Sequence, residues 1–85
     1  MVKYYLTPID GRKSFYGKAV VMVADNGVSK SLYSYDTLVC GIHEGKVQLY
    51  PLWDCSATTL RHIKAFLVQN GFVADSKADI AKRYA

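Results

Sequence analysis

Between Cys55 and Phe72 the chain reads CSATTLRHIKAFLVQNGF. At 100° per residue, Leu60, Ile63, Phe66 and Leu67 fall within one third of the circumference, while Arg61, His62, Lys64 and Gln69 fall elsewhere. This spacing predicts a helix with one buried stripe and a wet back. Ser56 can accept a hydrogen bond from an otherwise unpaired amide of the first turn, so the helix should begin at about Ala57. At the other end Gly71 can take the left-handed conformation that closes a helix, and Phe72 can fold back onto the stripe.

Upstream the pattern is that of strands. Lys3 to Thr7 is rich in β-formers and is ended by Pro8, which cannot donate to a ladder. After the connection IDGRKSFYGK, the run Lys18 to Ala24 is apolar and β-branched and predicts a central strand. Asp25-Asn26-Gly27 signals a hairpin, with Asn-Gly suited to a type I′ turn. The return strand, Val28 to Tyr33, alternates imperfectly and is expected at an edge, where strand-to-strand pairing would allow a homodimer. Ser34-Tyr35-Asp36-Thr37 is a second polar junction. Leu38 to Ile42 and Lys46 to Tyr50 form a second hairpin around His43-Glu44-Gly45; Pro51 ends it and Trp53 covers the first turn of the helix. Ser76 and Asp79, three apart, resemble a capping box and predict a short final helix over Lys77 to Tyr84. The order predicts an α+β fold: an antiparallel sheet of about five strands, with the main helix packed on one face and a short final helix, in one small domain spanning residues 1–85.

Size sharpens this picture. A chain of 85 residues buries only about 60–65% of the surface exposed by its unfolded form. Its core must therefore recruit nearly every large apolar side chain, several of the seven tyrosines included. No apolar run approaches the length of a membrane span and the N-terminus lacks a signal-peptide core, so a soluble, cytoplasmic protein is expected. Two cysteines make no disulfide framework. The net charge of +4 and pI near 9.1 permit contact with nucleic acid or an acidic protein surface, but the cations are scattered.

Four constellations invite chemistry. Cys40, His43, Cys55 and His62 are potential metal ligands, but Cys40 and His43 fall on opposite faces if they share a strand, so Cys40 reads as buried and structural and the histidines as surface residues. Cys55 precedes a helix N-terminus, which lowers a thiol pKa, but His62 stands two turns on, about 10 Å along the axis, too far for a hydrogen-bonded pair. Asp10, Asp36 and Asp54 read as turn and cap residues. Neither a metal, a cofactor nor an enzymatic activity is expected. Ser56, Thr58, Thr59 and Arg61 offer hydroxyls and a guanidinium at a helix start, which either caps the helix or also holds an anion. Finally, Arg12, Lys13, Phe15, Tyr16 and Lys18 interleave cations with rings. Such a loop suits single-stranded nucleic acid or a protein surface, or has Phe15 or Tyr16 anchoring it to the core.

SFYGKA (Ser14 to Ala19), SYDTLV (Ser34 to Val39) and SATTLRHIKAFL (Ser56 to Leu67), in this order and spacing, resemble an uncharacterised family of short phage, prophage and gut-bacterial proteins whose members commonly carry Asn at the position of Asp36. The resemblance implies a mobile-element setting, in which small proteins often act by binding a host protein or nucleic acid. It also suggests that the three motifs face one another: the Arg12 to Lys18 loop, Tyr35, Asp36 and Thr37, and the helix start Thr58 to His62 would make one surface at one end of the sheet. Separations above about 20 Å, near the width of such a domain, would exclude this. The reading is a non-enzymatic binding module of phage or prophage origin that engages a host protein, such as a defence component, in the host cytoplasm. The alternative is a nucleic-acid-binding accessory protein using the basic-aromatic loop and the helix N-terminus.

Overall fold

The computed structural model describes residues 2–8, 15 and 17–85. Five strands, β1 (Val2–Tyr5), β2 (Ala19–Val23), β3 (Lys30–Ser34), β4 (Thr37–His43) and β5 (Lys46–Leu49), form one antiparallel sheet in sequence order. Two helices follow, α1 (Ala57–Gln69) and α2 (Lys77–Tyr84). The predicted α+β class, with the main helix against a sheet and a short final helix, is the observed one. No helix among the described residues is long and apolar enough to cross a membrane.

β1 and β5 are the edges of this meander, and β3 lies in the middle with both its ladders taken. The expected edge at Val28 to Tyr33 is thus corrected, and with it the homodimer through that strand. The alternation there is imperfect because Lys30, Leu32 and Ser34 face the helices whereas Ser31 and Tyr33 face the other way. Lys30 spans to α1, its Nζ donating to Asn70 Oδ1 at 2.5 Å. Opposite the Leu32/Tyr33 step the register shifts by one residue. Val39 is the extra residue of this bulge, and it and Cys40 are both buried.

The turns differ from expectation in an instructive way. Asn26-Gly27 is not a type I′ turn: only Gly27 has positive φ, and Asn26 instead accepts at Oδ1 from the Val28 and Ser29 amides. Two-residue turns with both φ values positive occur at Tyr35-Asp36 (φ 50 and 66) and Glu44-Gly45 (φ 53 and 77).

The ends of α1 follow the local chemistry of the sequence. Ser56 Oγ accepts from the Thr59 amide. After Asn70, Gly71 takes φ 86, its amide bonds to Val68 O and the Phe72 amide bonds to Leu67 O, a Schellman closure. Phe72 then packs against the core and meets Tyr84 of α2 edge to face, with centroids 6.3 Å apart. α2 starts at the expected Ser76 cap, and Asp79 both accepts from the Asp75 amide and pairs with Arg83 at 2.8 Å.

The core lies between the sheet and the helices. Val21, Leu32, Cys40 and Ile42 meet Ile63, Phe66 and Leu67 of α1 and Ile80 of α2 within one buried cluster. The buried side of α1 is rotated relative to the predicted stripe: Thr59 and His62 are buried with Ile63, Phe66 and Leu67, while Leu60 is only half-buried and turns toward α2. His62 does not lie on a wet back, and the expectation of a surface histidine is corrected.

Candidate functional site

The three segments singled out from the sequence meet around His62. The Phe15 ring packs edge to face on the His62 imidazole at a centroid distance of 4.5 Å, and the Tyr35 ring lies 5.7 Å from the same imidazole. Arg61 places its guanidinium carbon 5.3 Å over the Phe15 ring. The described residues of the three segments are therefore in direct contact, far inside the separation that would have excluded a common end of the sheet. Backbone bonds hold the arrangement: the Lys18 amide donates to Phe15 O, and Lys18 O accepts from the Tyr35 amide.

Beneath the rings runs a chain of hydroxyls. Ser56 Oγ donates to Thr59 Oγ1 at 3.1 Å, and the Cys55 thiol reaches the same oxygen at 3.5 Å. With these donors on it, the Thr59 hydroxyl gives its own proton to Ser34 Oγ at 3.1 Å. Ser34 Oγ lies 2.8 Å from His62 Nδ1, and donation from the Ser34 hydroxyl continues the same direction. A single direction of donation thus satisfies the whole chain and puts the imidazole proton on Nε2, which makes the ring neutral. Burial first, and then the adjacent Arg61 charge, push the His62 pKa down to about 4. Every buried polar side-chain atom among the described residues has a partner, so the network is rigid.

The predicted site residues divide into a support layer and an exposed layer. Phe15, Thr59 and His62 are 5%, 2% and 1% exposed; they hold the surface from below and do not form it, which corrects their expected role as contact residues. Thr37 and Thr58 are half-buried. Lys18, Tyr35, Asp36 and Arg61 are exposed. Arg12, Lys13 and Tyr16 lie outside the described residues. Two of the helix-start hydroxyls are engaged within the protein, Ser56 as cap and donor and Thr59 toward Ser34, which favours capping over an anion site at these two residues.

Tyr35 is the least comfortable residue of the group. A bulky side chain rarely takes positive φ, yet Tyr35 sits at φ 50 with 52% of its surface exposed. The turn type requires this conformation, and the ring lies tilted against His62. Beyond Arg61 the surface continues into an open cleft of about 200 Å³ between α1 and the start of α2. Leu60 and Ile80 line it with apolar surface, and Arg61, Lys64 and Lys77 add positive charge, with Asp75 the one carboxylate among the described lining residues.

Two features of this region were missed from the sequence. Ser34 was read only as part of a turn, although it is the link between sheet and helix. The series Thr59, His62, Ile63, Phe66, at intervals of three, one and three, is itself a helical-face pattern and could have signalled the burial of His62.

Nothing among curated proteins or solved structures matches the chain. A family model does match, over residues 4–82, and the chain belongs to that family, DUF8033, a family of unknown function.

Proposed function

We propose that this chain is a non-enzymatic binding module that presents Tyr35, Asp36 and Arg61 to a protein partner. The observation that carries this reading is the half-exposed Tyr35 ring held at positive φ on a buried, fully hydrogen-bonded base. Backbone strain of this kind costs on the order of 1–3 kcal/mol and is commonly kept where it serves recognition. An exposed tyrosine and an arginine on one surface are also the composition of an interface hot spot. Arg61, Lys64 and Lys77 around the adjacent cleft suit an acidic partner surface. Ser34 and His62, a Ser–His pair among the described residues, are sealed from solvent, which supports binding over catalysis. The phage or prophage setting implied by the sequence resemblance makes a host protein the partner class, with a defence component as one such target in the host cytoplasm.

The test is a pull-down from host lysate, with and without nuclease and at low and moderate salt, using the wild type and two variants, Tyr35→Asn and Arg61→Ala. Asn tolerates positive φ, so Tyr35→Asn keeps the turn and removes only the ring. A stoichiometric protein that resists nuclease and is lost with both variants supports the reading. Equal capture by folded Tyr35→Asn and wild type refutes it.

A further inference from the structure

The face of the sheet turned away from the helices has a composition of its own. Tyr5 pairs with Val20, Val20 with Tyr33 and Tyr33 with Leu38, so these four form one row across four strands. Paired residues share a face, and β3 fixes which face this is: Ser34 and Lys30 bond to α1, so Tyr33, between Leu32 and Ser34, points away from it. The next row runs Lys3, Met22, Ser31, Gly41, Gln48. At Gly41 the missing side chain leaves room for two rings: a Cβ there would stand 2.8 Å from His43 Nε2 and 3.4 Å from Tyr50 Cε2. His43 and Tyr50 therefore lie over Gly41 on this same face. The buried side chains of the strands all belong to the opposite, helix-covered face.

The charges are equally one-sided. The five strands carry three lysines and no carboxylate. Lys30 is engaged with α1, whereas Lys3 and Lys46 stand at the two edges of the face that neither helix covers, here called the open face, Lys3 with its Nζ 5.8 Å over the Tyr5 ring. Rings in the middle and cations at the rims are what an unpaired strand of nucleic acid needs: faces for its bases and positive charge for its phosphates. Tyr5 and Tyr33 are two strands apart, about 10 Å, a span an extended strand covers with neighbouring bases. A duplex keeps its base faces stacked inside and offers the rings nothing to stack on.

We propose that the open sheet face binds single-stranded nucleic acid, with bases on Tyr5, Tyr33 and the His43–Tyr50 pair and phosphates on Lys3 and Lys46. The surface is separate from the Tyr35–Arg61 surface on the helix side, so the two proposals stand or fall independently.

Fluorescence anisotropy with a labelled oligothymidylate of about 15 nucleotides tests it, in salt from about 50 to 200 mM. The expected result is saturable binding that weakens with salt, a single-strand preference over the matching duplex, and a loss of about ten-fold or more in affinity for Tyr5→Ala and for Tyr33→Ala. Tyr33→Phe should retain binding because it keeps the ring, and Tyr35→Asn should retain it because it alters the other surface. Absence of binding overturns the proposal, as do equal affinity for duplex and unchanged affinity in both alanine variants. Tyr5 is 61% exposed on an edge strand, so its substitution leaves the fold intact, and circular dichroism checks this. Sedimentation of the protein alone closes the remaining case: a dimer that Tyr33→Ala dissociates would mean that a second copy, not nucleic acid, occupies this face.

Discussion

Ser34 and His62 stand 28 residues apart in sequence and share a 2.8 Å hydrogen bond in the interior. The bond joins the last residue of β3 to the middle of α1, immediately beneath the Tyr35 turn. Tyr35 follows Ser34 directly in the chain, and its ring lies 5.7 Å from the same imidazole.

Acid should therefore destabilise the fold through His62. Its folded pKa of about 4 lies below the ordinary 6.5, so the unfolded chain takes up the proton first as pH falls. The stability contribution is complete above pH 6.5 and is lost progressively as pH drops from 6.5 towards 4. The full effect is about 3 kcal/mol at 1.36 kcal/mol per unit. Urea denaturation at pH 7 and at pH 4.5 measures it, and His62→Gln should flatten the difference between the two.

Ser34→Ala leaves the His62 Nδ1 lone pair and the Thr59 hydroxyl proton without their partner in a site closed to water. The expected loss is about 1–3 kcal/mol of stability at pH 7. Ser56→Ala removes a cap at the exposed end of the same chain of hydroxyls and should cost about 1 kcal/mol. Chemical denaturation of the two variants side by side reads both.

The two thiols should react at very different rates. Cys40 is fully buried, and burial pushes its pKa up to about 12 against the lowering effect of the Gly41 backbone hydrogen bond. Cys55 is exposed. At neutral pH a thiol reagent should modify Cys55 rapidly and Cys40 only as the protein unfolds. Two equally fast thiols would show that β4 is not sealed by α1.

Gly41→Ala separates stability from the open face. The new methyl group would meet the tips of two side chains, not backbone, so His43 and Tyr50 can swing aside. Stability should change by less than about 1 kcal/mol, since Gly is itself unfavourable in a strand. Oligonucleotide affinity should fall, because the paired rings no longer lie where they did.

Where local chemistry decides, the sequence could be read closely. Ser56, Gly71 and Phe72 define the ends of α1, and Ser76 with Asp79 defines the start of α2, all through groups within five residues of one another. Where distant partners decide, it could not. The central place of β3 follows from β1 and β2 pairing on one side and β4 and β5 on the other, which alternation within β3 does not encode. His62 is polar and fell off the apolar stripe, and its burial rests on Ser34, a residue in another element. Phe15, Tyr35 and His62, one residue from each motif, come together, while Arg12, Lys13 and Tyr16 lie outside the described residues. The open-face rings were not anticipated because Tyr5, Tyr33 and Tyr50 come together only through the register of the sheet.

The sequence-ordered meander also bears on how quickly the chain finds its structure. Each strand pairs only with its neighbours along the chain, and the β2–β3, β3–β4 and β4–β5 ladders close short loops, so little entropy is lost before their contacts form. Hairpins β3–β4 and β4–β5 turn through two residues each and are the natural first structures. The long-range step is the docking of α1, which joins Ser34 to His62 and closes the interior. Local closure should therefore precede that docking, so the rings of the face turned away from the helices are expected on paired strands before the Tyr35 surface is complete.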